Sequence, residues 1–460
     1  MTISHELVTK VAASFRINAD QEQSFSSVSI DTRTLQKGAL YVPIVGERFD
    51  GHIFIEKAIQ AGAKAAVWQK DYAVPSSVPD NFQLYYVEDT LKALQQLSKE
   101  YRKLIDPIVI AVTGSNGKTT VKDMLFSILS LTGTTYKTQG NFNNHIGMPL
   151  TILGMPKDCK YLILEMGMSE FGEIEFLSEL AEPDIALITN IGESHMEQLG
   201  SREGIAEAKA EIRAGLSAQG TLYIDGDEPL LADKQHTHTK TIGFNPANHS
   251  FISDVSTDVN GLHFTLADTD RFTIPLLGKH NVKNAALAAS AASGLGLSAA
   301  DIQNGLSQVA ISKMRLERSF GQDGELIIND AYNASPTSMI AALETLKGLS
   351  GFSRYIAVLG DMYELGGNEK ELHTKVAGHI SAPITHVLCV GHKAKWIYEA
   401  IQKEQDPLHV SWAPTVAEAA QSLKSIVTKD SVVLLKASRG LKLEQIVDDS
   451  LESGKGETNK

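Results

Sequence analysis

From Pro107 onward the apolar positions fall into two alternating registers, short continuous runs and stripes spaced three and four residues apart. IVIAVTG reads as a strand. The segment after Lys118 carries Val121, Met124, Leu125, Ile128 and Leu129, an i, i+3, i+4, i+7, i+8 stripe that predicts an amphipathic helix. YLILEMG and DIALITNIG are continuous apolar runs of the kind that fill a parallel sheet covered on both faces. Between Leu222 and Pro275 the runs shorten and alternate with turn residues, which predicts a small antiparallel annex. An Ala-rich helix is expected over Val282 to Ala292. After Ser312 the alternation restarts. ELIIND, RYIAVLGD, HVLCVG, LHVSWA and SVVLLKAS each precede a helix-like segment, so a second doubly wound sheet is expected as a separate domain.

Before Pro107 the texture differs. Up to Glu88 short strand-like runs alternate with turns, with one helical pattern from His52 to Ala63 followed by AAVW. Asp89 to Ile105 predicts a connecting helix with Asp89 or Thr90 as N-cap. The expectation is an α/β protein of three domains. Residues 1–88 form a small N-terminal α/β domain. Residues 89–312, including the connecting helix at 89–106, form a central phosphate-loop domain with a doubly wound, mostly parallel sheet and the annex. Residues 313–460 form a Rossmann-like α/β domain. The polar tail LESGKGETNK is expected to fray.

Composition narrows the class. A chain of 460 residues, 43% apolar and 21% charged, has the make-up of a globular protein with several cores. A net charge of −13 argues against nucleic acid as a partner, because that affinity comes from neutralising phosphates with Lys and Arg. No apolar run approaches the roughly 20 residues of a membrane helix, so no membrane insertion is expected. The start, MTISHELVTKVAASF, lacks the layout of a signal peptide. Cys159 and Cys389 lie in apolar stretches outside any metal or redox pattern, and reduced, buried thiols in a cytoplasmic protein are expected.

The chemistry enters at AVTGSNGKTT, Ala111 to Thr120. The full Walker pattern GxxxxGK[ST] would place a glycine at 112, where Val112 stands; the first glycine is Gly114, giving GxxGKT. Gly114 and Gly117 let backbone N–H groups turn toward phosphate oxygens, Lys118 reaches the β and γ oxygens, and Thr119 offers a hydroxyl to Mg²⁺. The expected ATP-binding stretch is Gly114, Ser115, Asn116, Gly117, Lys118, Thr119 and Thr120. Glu165 ends YLILE and His195 follows the next strand; both suit Mg²⁺ or water, against the plainer readings of a capping Glu and a surface His. Lys209 sits inside the stripe of Ile205, Ala208, Ile212 and Leu216, roughly 40° from Ile205. An inward lysine snorkels, pairs with an acid, or is chemically changed; pattern alone favours snorkelling.

These segments resemble the Mur ligases, three-domain ATP-dependent amide-bond formers of bacterial cell-wall (peptidoglycan) synthesis, over nearly the whole chain. The resemblance is carried by SIDTRTLQKGALYVPIVGERFDGHIFIEKAIQAGAKAAV, TGSNGKTT, GNFNNHIGMP, EMGMSEFGEI and NIGESHMEQLGSREGIAEAKAEI. GKHNVKNAALAA, KMRLER, NDAYNASPTSM, LGDMYELG and KASRGLKLE complete it. It implies that the first domain takes a uridine-nucleotide substrate through Ser29, Asp31, Thr32, Arg33, Gly46, Asp50 and Gly51. It implies metal ligation by Thr119, Glu165, His195 and a carbamylated Lys209. It places Asn281 near adenine, Asp330 near ribose, Arg315 on the phosphates, and Asn141 and Asn144 near the transferred phosphate. Lys118, Lys209, His195, Arg315, Asn141 and Asn144 would carry catalysis.

Within the family, Tyr332, Asn333 and Ala334 stand where the lysine/diaminopimelate-adding enzyme typically has Tyr-Ala-His. NDAYNASP is instead similar to the last ligase of the series, so Asn333 and Ser335 are expected at the substrate. The implied reaction joins D-Ala-D-Ala to UDP-N-acetylmuramoyl-tripeptide through an acyl phosphate, in a monomer that closes on its substrates. The alternatives are the preceding lysine/diaminopimelate-adding ligase and, from another class, a P-loop regulatory ATPase. Folylpolyglutamate synthase lacks the DTR…DGH first domain.

Overall fold

The structure is a computed structural model that describes residues 3–16, 24–46, 49–258, 261–310, 312–403 and 408–447. The tail LESGKGETNK lies outside the described residues.

In the first unit a mostly parallel sheet runs in the order Ser14–Arg16, Gln83–Val87, Ala65–Gln69, Leu40–Tyr41, Val28–Ser29. The helical pattern at 52–63 resolves into a 3-10 turn, Gly51–Phe54, and a helix, Ile55–Gln60. The connecting helix is Thr90–Ile105. Asp89 caps it by accepting from the Lys92 amide, and Asp106 ends it in the left-handed region at φ 52°. Its buried face, Leu94, Leu97 and Tyr101, belongs to one core that also holds Ile3, Phe25 and Tyr85 before it and Val109, Leu164 and Ile205 after it. The boundary at residue 88 is therefore a change of sheet and not a break in packing.

Among the described residues the central sheet has nine strands, in the order Asp270–Ile274, Gly261–Leu266, Ser250–Asp258, Thr239–Gly243, Thr221–Asp225, Ile185–Ile188, Ile108–Thr113, Tyr161–Glu165, Thr135–Lys137. The expected antiparallel annex is smaller than the sequence pattern implied. Thr221–Asp225 and Thr239–Gly243 pair in parallel with the main sheet, and only the last three strands run antiparallel to one another. The reason is cover. Leu222, Tyr223 and Ile224 are buried, with the helix His280–Gly294 packed on that part of the sheet, whereas Gly261–Leu266 keeps every second residue of its second half half-exposed. That helix is the Ala-rich one, and its small side chains let it pack on the phosphate-loop helix Lys118–Leu129.

The third unit is a six-stranded sheet in the order Glu317–Phe320, Leu326–Asn329, Ser431–Lys436, Arg354–Gly360, His386–Val390, His409–Ala413. All neighbours are parallel except the first pair. Separate cores cover its two faces. After SVVLLKAS comes first a 3-10 turn, Arg439–Leu441, and then the helical residues 445–447. Cys159 and Cys389 are free and buried, and burial raises both thiols, that of Cys159 to about 11. No described helix is long and apolar enough to cross a membrane.

Candidate active site

The phosphate loop begins two residues later than a full Walker loop because the strand is longer. Val112 is fully buried and lies in register with Glu165 on one side and Leu187 on the other, so position 112 belongs to the sheet. The turn starts at Gly114, φ 143°, where a Cβ would lie 1.8 Å from the Thr189 hydroxyl oxygen. The amides of Ser115 and Asn116 donate to the carbonyl and the side-chain oxygen of Asn190, at 3.1 and 2.9 Å. Those of Gly117 to Thr120 have no acceptor among the described residues, as the first N–H groups of a helix leave free for an anion. Lys118 donates to the Gly114 carbonyl at 2.7 Å. Burial pulls its ammonium below the ordinary value; Glu165 partly offsets this and Arg315 adds to it.

This loop opens on a cleft of about 680 Å³ whose walls come from the central and third sheets. Ser115 to Thr120, Asn141, Asn144, Glu165, His195, Asn281, Arg315, Asp330 and Asn333 all line it. At its centre the Thr119 hydroxyl donates to Glu165 Oε2 at 2.9 Å and accepts from Arg315 Nη2 at 2.7 Å. Glu165, 4% exposed at the end of its strand, also accepts from Asn143 at 3.1 Å and has Lys122 Nζ 3.5 Å away. The Arg315 guanidinium lies 4.3 Å over the Tyr332 ring. Among the described residues Asn116 Nδ2 and Arg315 Nε are buried donors on the cleft wall without a partner, which suits an anionic ligand.

His195 takes a left-handed conformation, φ 65°, and its Nδ1 lies 3.1 Å from Glu364 Oε2 on the third unit. Among the described residues no hydrogen bond or ion pair joins it to Thr119 or Glu165, so the structure unites two of the expected metal ligands and pairs the third, on the same central wall, with Glu364 of the facing one. No group of three or more His, Cys, Asp and Glu gathers among the described residues. The Thr119 and Glu165 oxygens beside a phosphate loop still fit Mg²⁺, which takes one or two carboxylates together with substrate phosphates and water.

Lys209 overturns the snorkelling expectation. It is 2% exposed, near the end of the helix Arg202–Ala210, and among the described residues it has no salt bridge or hydrogen-bond partner. The helix lies too deep for the ammonium to reach water. Burial, and then the positive charge of Lys118, push it well below its ordinary value.

Several expected residues are held by local structure. Asn144 caps the amides of Ile146 and Gly147, and Asn281 bonds the Leu277 carbonyl and Asn284. Asp330 pairs with Lys436 at 2.7 Å, and Lys436 also donates to the Asn333 carbonyl. Ser335, expected at the substrate, does not line the cleft. It is 1% exposed and its hydroxyl closes the capping box of the helix Pro336–Lys347. The first-unit set does not reach this cleft either. Ser29, Asp31, Thr32 and Arg33 form a turn in which Asp31 pairs with Arg33; Gly46 and Asp50 flank a nearby loop, and Asp50 caps the turn that opens at Gly51. Asp31 and Asp50 converge on Tyr41, whose phenol is raised to about 12 by burial and then by these two acids.

Sequence reading missed Asn143, Lys122, Asn190, Lys436, Tyr41 and Glu193. The Thr337 hydroxyl donates to both Glu193 carboxylate oxygens, at 2.8 and 2.6 Å, so a central-unit acid sits at the N-terminus of a third-unit helix. Pro336 at the helix start was the visible signal on one side; nothing local marks Glu193.

A phosphate loop facing a second doubly wound sheet, with an arginine from that sheet's side bonded to the loop threonine, marks a nucleotide-dependent enzyme. Family models agree. The Mur ligase middle domain matches residues 112–292, the Mur ligase glutamate ligase domain matches 314–439, and the Mur ligase family catalytic domain matches 24–102. The chain belongs to the Mur ligase family. It is 48% identical to the UDP-N-acetylmuramoyl-tripeptide–D-alanyl-D-alanine ligase of Bacillus subtilis over 440 residues, 95% of each chain. The structure is similar to a crystal structure of MurF from Acinetobacter baumannii, with a TM-score of 0.88 and 30% identity over 98% of this chain and 99% of that one. It is also similar to the Thermotoga maritima MurF ligase in complex with ADP, with a TM-score of 0.81 and 28% identity over 93% and 98%.

Proposed function

We propose that this chain is an ATP-dependent ligase that joins D-alanyl-D-alanine to UDP-N-acetylmuramoyl-tripeptide, releasing ADP and phosphate. The observation that carries the chemistry is the contact of Arg315 with Thr119, which brings a cation of the third unit onto the phosphate loop. The identity of the two acceptors follows the relatives of that name, which match nearly the full chain.

A carboxylate does not condense with an amine in water, because oxide would have to leave. ATP removes that obstacle. An oxygen of the tripeptide's terminal carboxylate attacks the γ-phosphorus, the bond to the bridging oxygen breaks, and ADP departs, leaving an acyl phosphate. The dipeptide amine, as the free base, then adds to the acyl carbon, and the tetrahedral intermediate expels phosphate as the amide forms. Lys118, the free amides of Gly117 to Thr120 and Arg315 hold charge on the moving phosphoryl group. Thr119 and Glu165, with His195 as a further ligand, would hold Mg²⁺, which would supply charge neutralisation on the phosphate oxygens. Asn141 and Asn144 flank the transferred phosphate, Asn281 and Asp330 the nucleoside, and Asn333 the incoming dipeptide.

Lys209 enters as a carbamate. Its buried amine, whose charged form burial disfavours, adds to CO₂ as the free base and loses one proton, turning an unpaired cation position into an anion for the metal side of the cleft. The first unit, residues 1–88, binds the uridine nucleotide near Ser29 to Arg33, Gly46 and Asp50. Residues 89–312 hold ATP, and 313–460 bring the dipeptide and close the site.

The test is phosphate release with each substrate omitted in turn, and mass spectrometry of the product. Release that requires both UDP-N-acetylmuramoyl-tripeptide and D-Ala-D-Ala, with a pentapeptide product, supports the reading. Product from a dipeptide precursor with lysine or diaminopimelate would assign the preceding step, and release without either acceptor would make the chain an ATPase.

A further inference from the structure

The phosphate-loop helix is joined at two points to the segment that leads into the third sheet, and only one of those points has a role in the reaction so far. Asp123 follows Thr119 by four residues, so both face the same side of the helix, about 6 Å apart along its axis. Asp123 is 2% exposed. Its Oδ2 accepts from both the amide and the hydroxyl of Ser312, at 3.0 and 2.7 Å, and its Oδ1 accepts from Lys137 at 2.8 Å. Three residues beyond Ser312, Arg315 reaches back to Thr119. The segment folds sharply between and after these points: Met314 and Leu316 both have positive φ, 60° and 52°. Their amides are fixed by Glu317 and Asp330.

We propose that Asp123 is a positioning residue for Arg315, tying the linker at Ser312 one helical turn from Thr119 so that the guanidinium is held on the phosphate loop. Three residues of chain extend at most about 10 Å, so a linker fixed at the level of Asp123 cannot carry Arg315 far from Thr119. Charge pairing alone would not require this arrangement. Lys137 uses one carboxylate oxygen, while the other takes two donors from a single linker residue 189 positions away in sequence. Displacing a charge-stabilising group by about 1 Å costs on the order of 100-fold in rate, which is the lever the tie controls. The inference rests on the proposed reaction only in giving Arg315 its task there.

The experiment uses the full-length protein with Asp123→Asn, Ser312→Ala, Arg315→Ala and the Asp123→Asn/Arg315→Ala pair. Asp123→Asn is expected to lower kcat about 10- to 100-fold with the Kd for ADP within about twofold, and Ser312→Ala to lower it about threefold, the scale of one hydrogen bond. In the Arg315→Ala background Asp123→Asn should cost almost nothing further. Hydrogen exchange in the 312–317 peptide should speed up in Asp123→Asn and in Ser312→Ala, whatever their activity. An equal loss of kcat with and without Arg315, or unchanged linker exchange in a folded variant, would overturn the tie. If wild type makes no product from the two substrates, the functional reading fails, and linker exchange still decides the tie.

Discussion

The two seams of this molecule are built from opposite materials. Between the first and central sheets one apolar core runs without interruption from Ile3 and Phe25 through Leu94 and Leu97 to Leu164 and Ile205. Between the central and third sheets the contacts are polar: Arg315 with Thr119, Ser312 with Asp123, Glu193 with Thr337, His195 with Glu364. Leu277 is the partly buried apolar side chain that reaches across from the central unit to the third. Apolar burial is non-directional and its loss is costly everywhere along the seam, whereas a polar contact exchanges with water at a net of only about 1 kcal/mol. One seam is therefore built to hold, and on the proposed reading the other opens and closes around a substrate.

Substitutions break or sharpen this contrast. The largest effect is expected at the polar seam's catalytic contact: Arg315→Ala lowers kcat by about 1,000-fold or more with little change in Tm, and a collapse of Tm instead would show that the contact is structural. Lys209→Ala, on the rigid side, lowers turnover about 100-fold or more; short carboxylic acids restore part of it and bicarbonate does not. Normal activity in that variant removes the carbamate from the mechanism. In the apolar seam Leu97→Ala costs about 2–5 kcal/mol in denaturant unfolding while kcat of the folded fraction stays close to wild type. A smaller loss would mean that the first sheet is only loosely attached. Glu193→Gln and Thr337→Val each change stability by about 1 kcal/mol or less, but they should blunt the compaction that small-angle scattering reads when nucleotide and the tripeptide substrate are added together. Unchanged compaction would deny the Glu193 contact a part in closure.

Lys209 also gives the rigid side a pH signature. Its ammonium is disfavoured in the folded chain but titrates near 10.5 when unfolded, so between the lowered value and 10.5 the unfolded chain binds the extra proton. Stability therefore rises with pH through that window. Below the lowered folded value the slope vanishes and the cost of charging the buried amine is fully present. In CO₂-free buffer Lys209→Met should be more stable than wild type at neutral pH and should lack the lysine's share of the rise. Parallel stability-against-pH curves would mean that Lys209 is not desolvated.

What was legible in the sequence was whatever repeats locally. The phosphate-loop strand and helix, the connecting helix with Asp89 as cap, and the inward side of Lys209 all follow from spacing within a dozen residues. Glu317–Phe320 was missed because ERSF has no apolar alternation, being an edge strand with no buried residue. The sequence pattern places Thr221–Asp225 and Thr239–Gly243 in the annex because a short five-residue parallel strand has the same texture as a hairpin strand. The depth of Lys209 was misjudged because a helical wheel gives direction and not distance to water. Asp123, Glu193 and Lys436 were invisible for another reason: their partners lie 189, 144 and 106 residues away, and a charged residue on a helix or strand end looks solvated until the fold closes over it.

The unbroken core between the first two sheets has a metrical consequence. On the proposed reading, a nucleotide anchored beside Asp31 and Asp50 and a phosphate held by Gly117 to Thr120 share one continuous core, so the gap between them is set by folding and not by the ligand. A peptide hung from the anchored sugar must span that gap with its own length, and each residue adds at most about 3.3–3.6 Å. On the proposed reading the core is a ruler. A stem one residue short leaves its carboxylate outside the reach of the γ-phosphate, and a stem one residue long must buckle, so the number of residues is measured before any side chain is read.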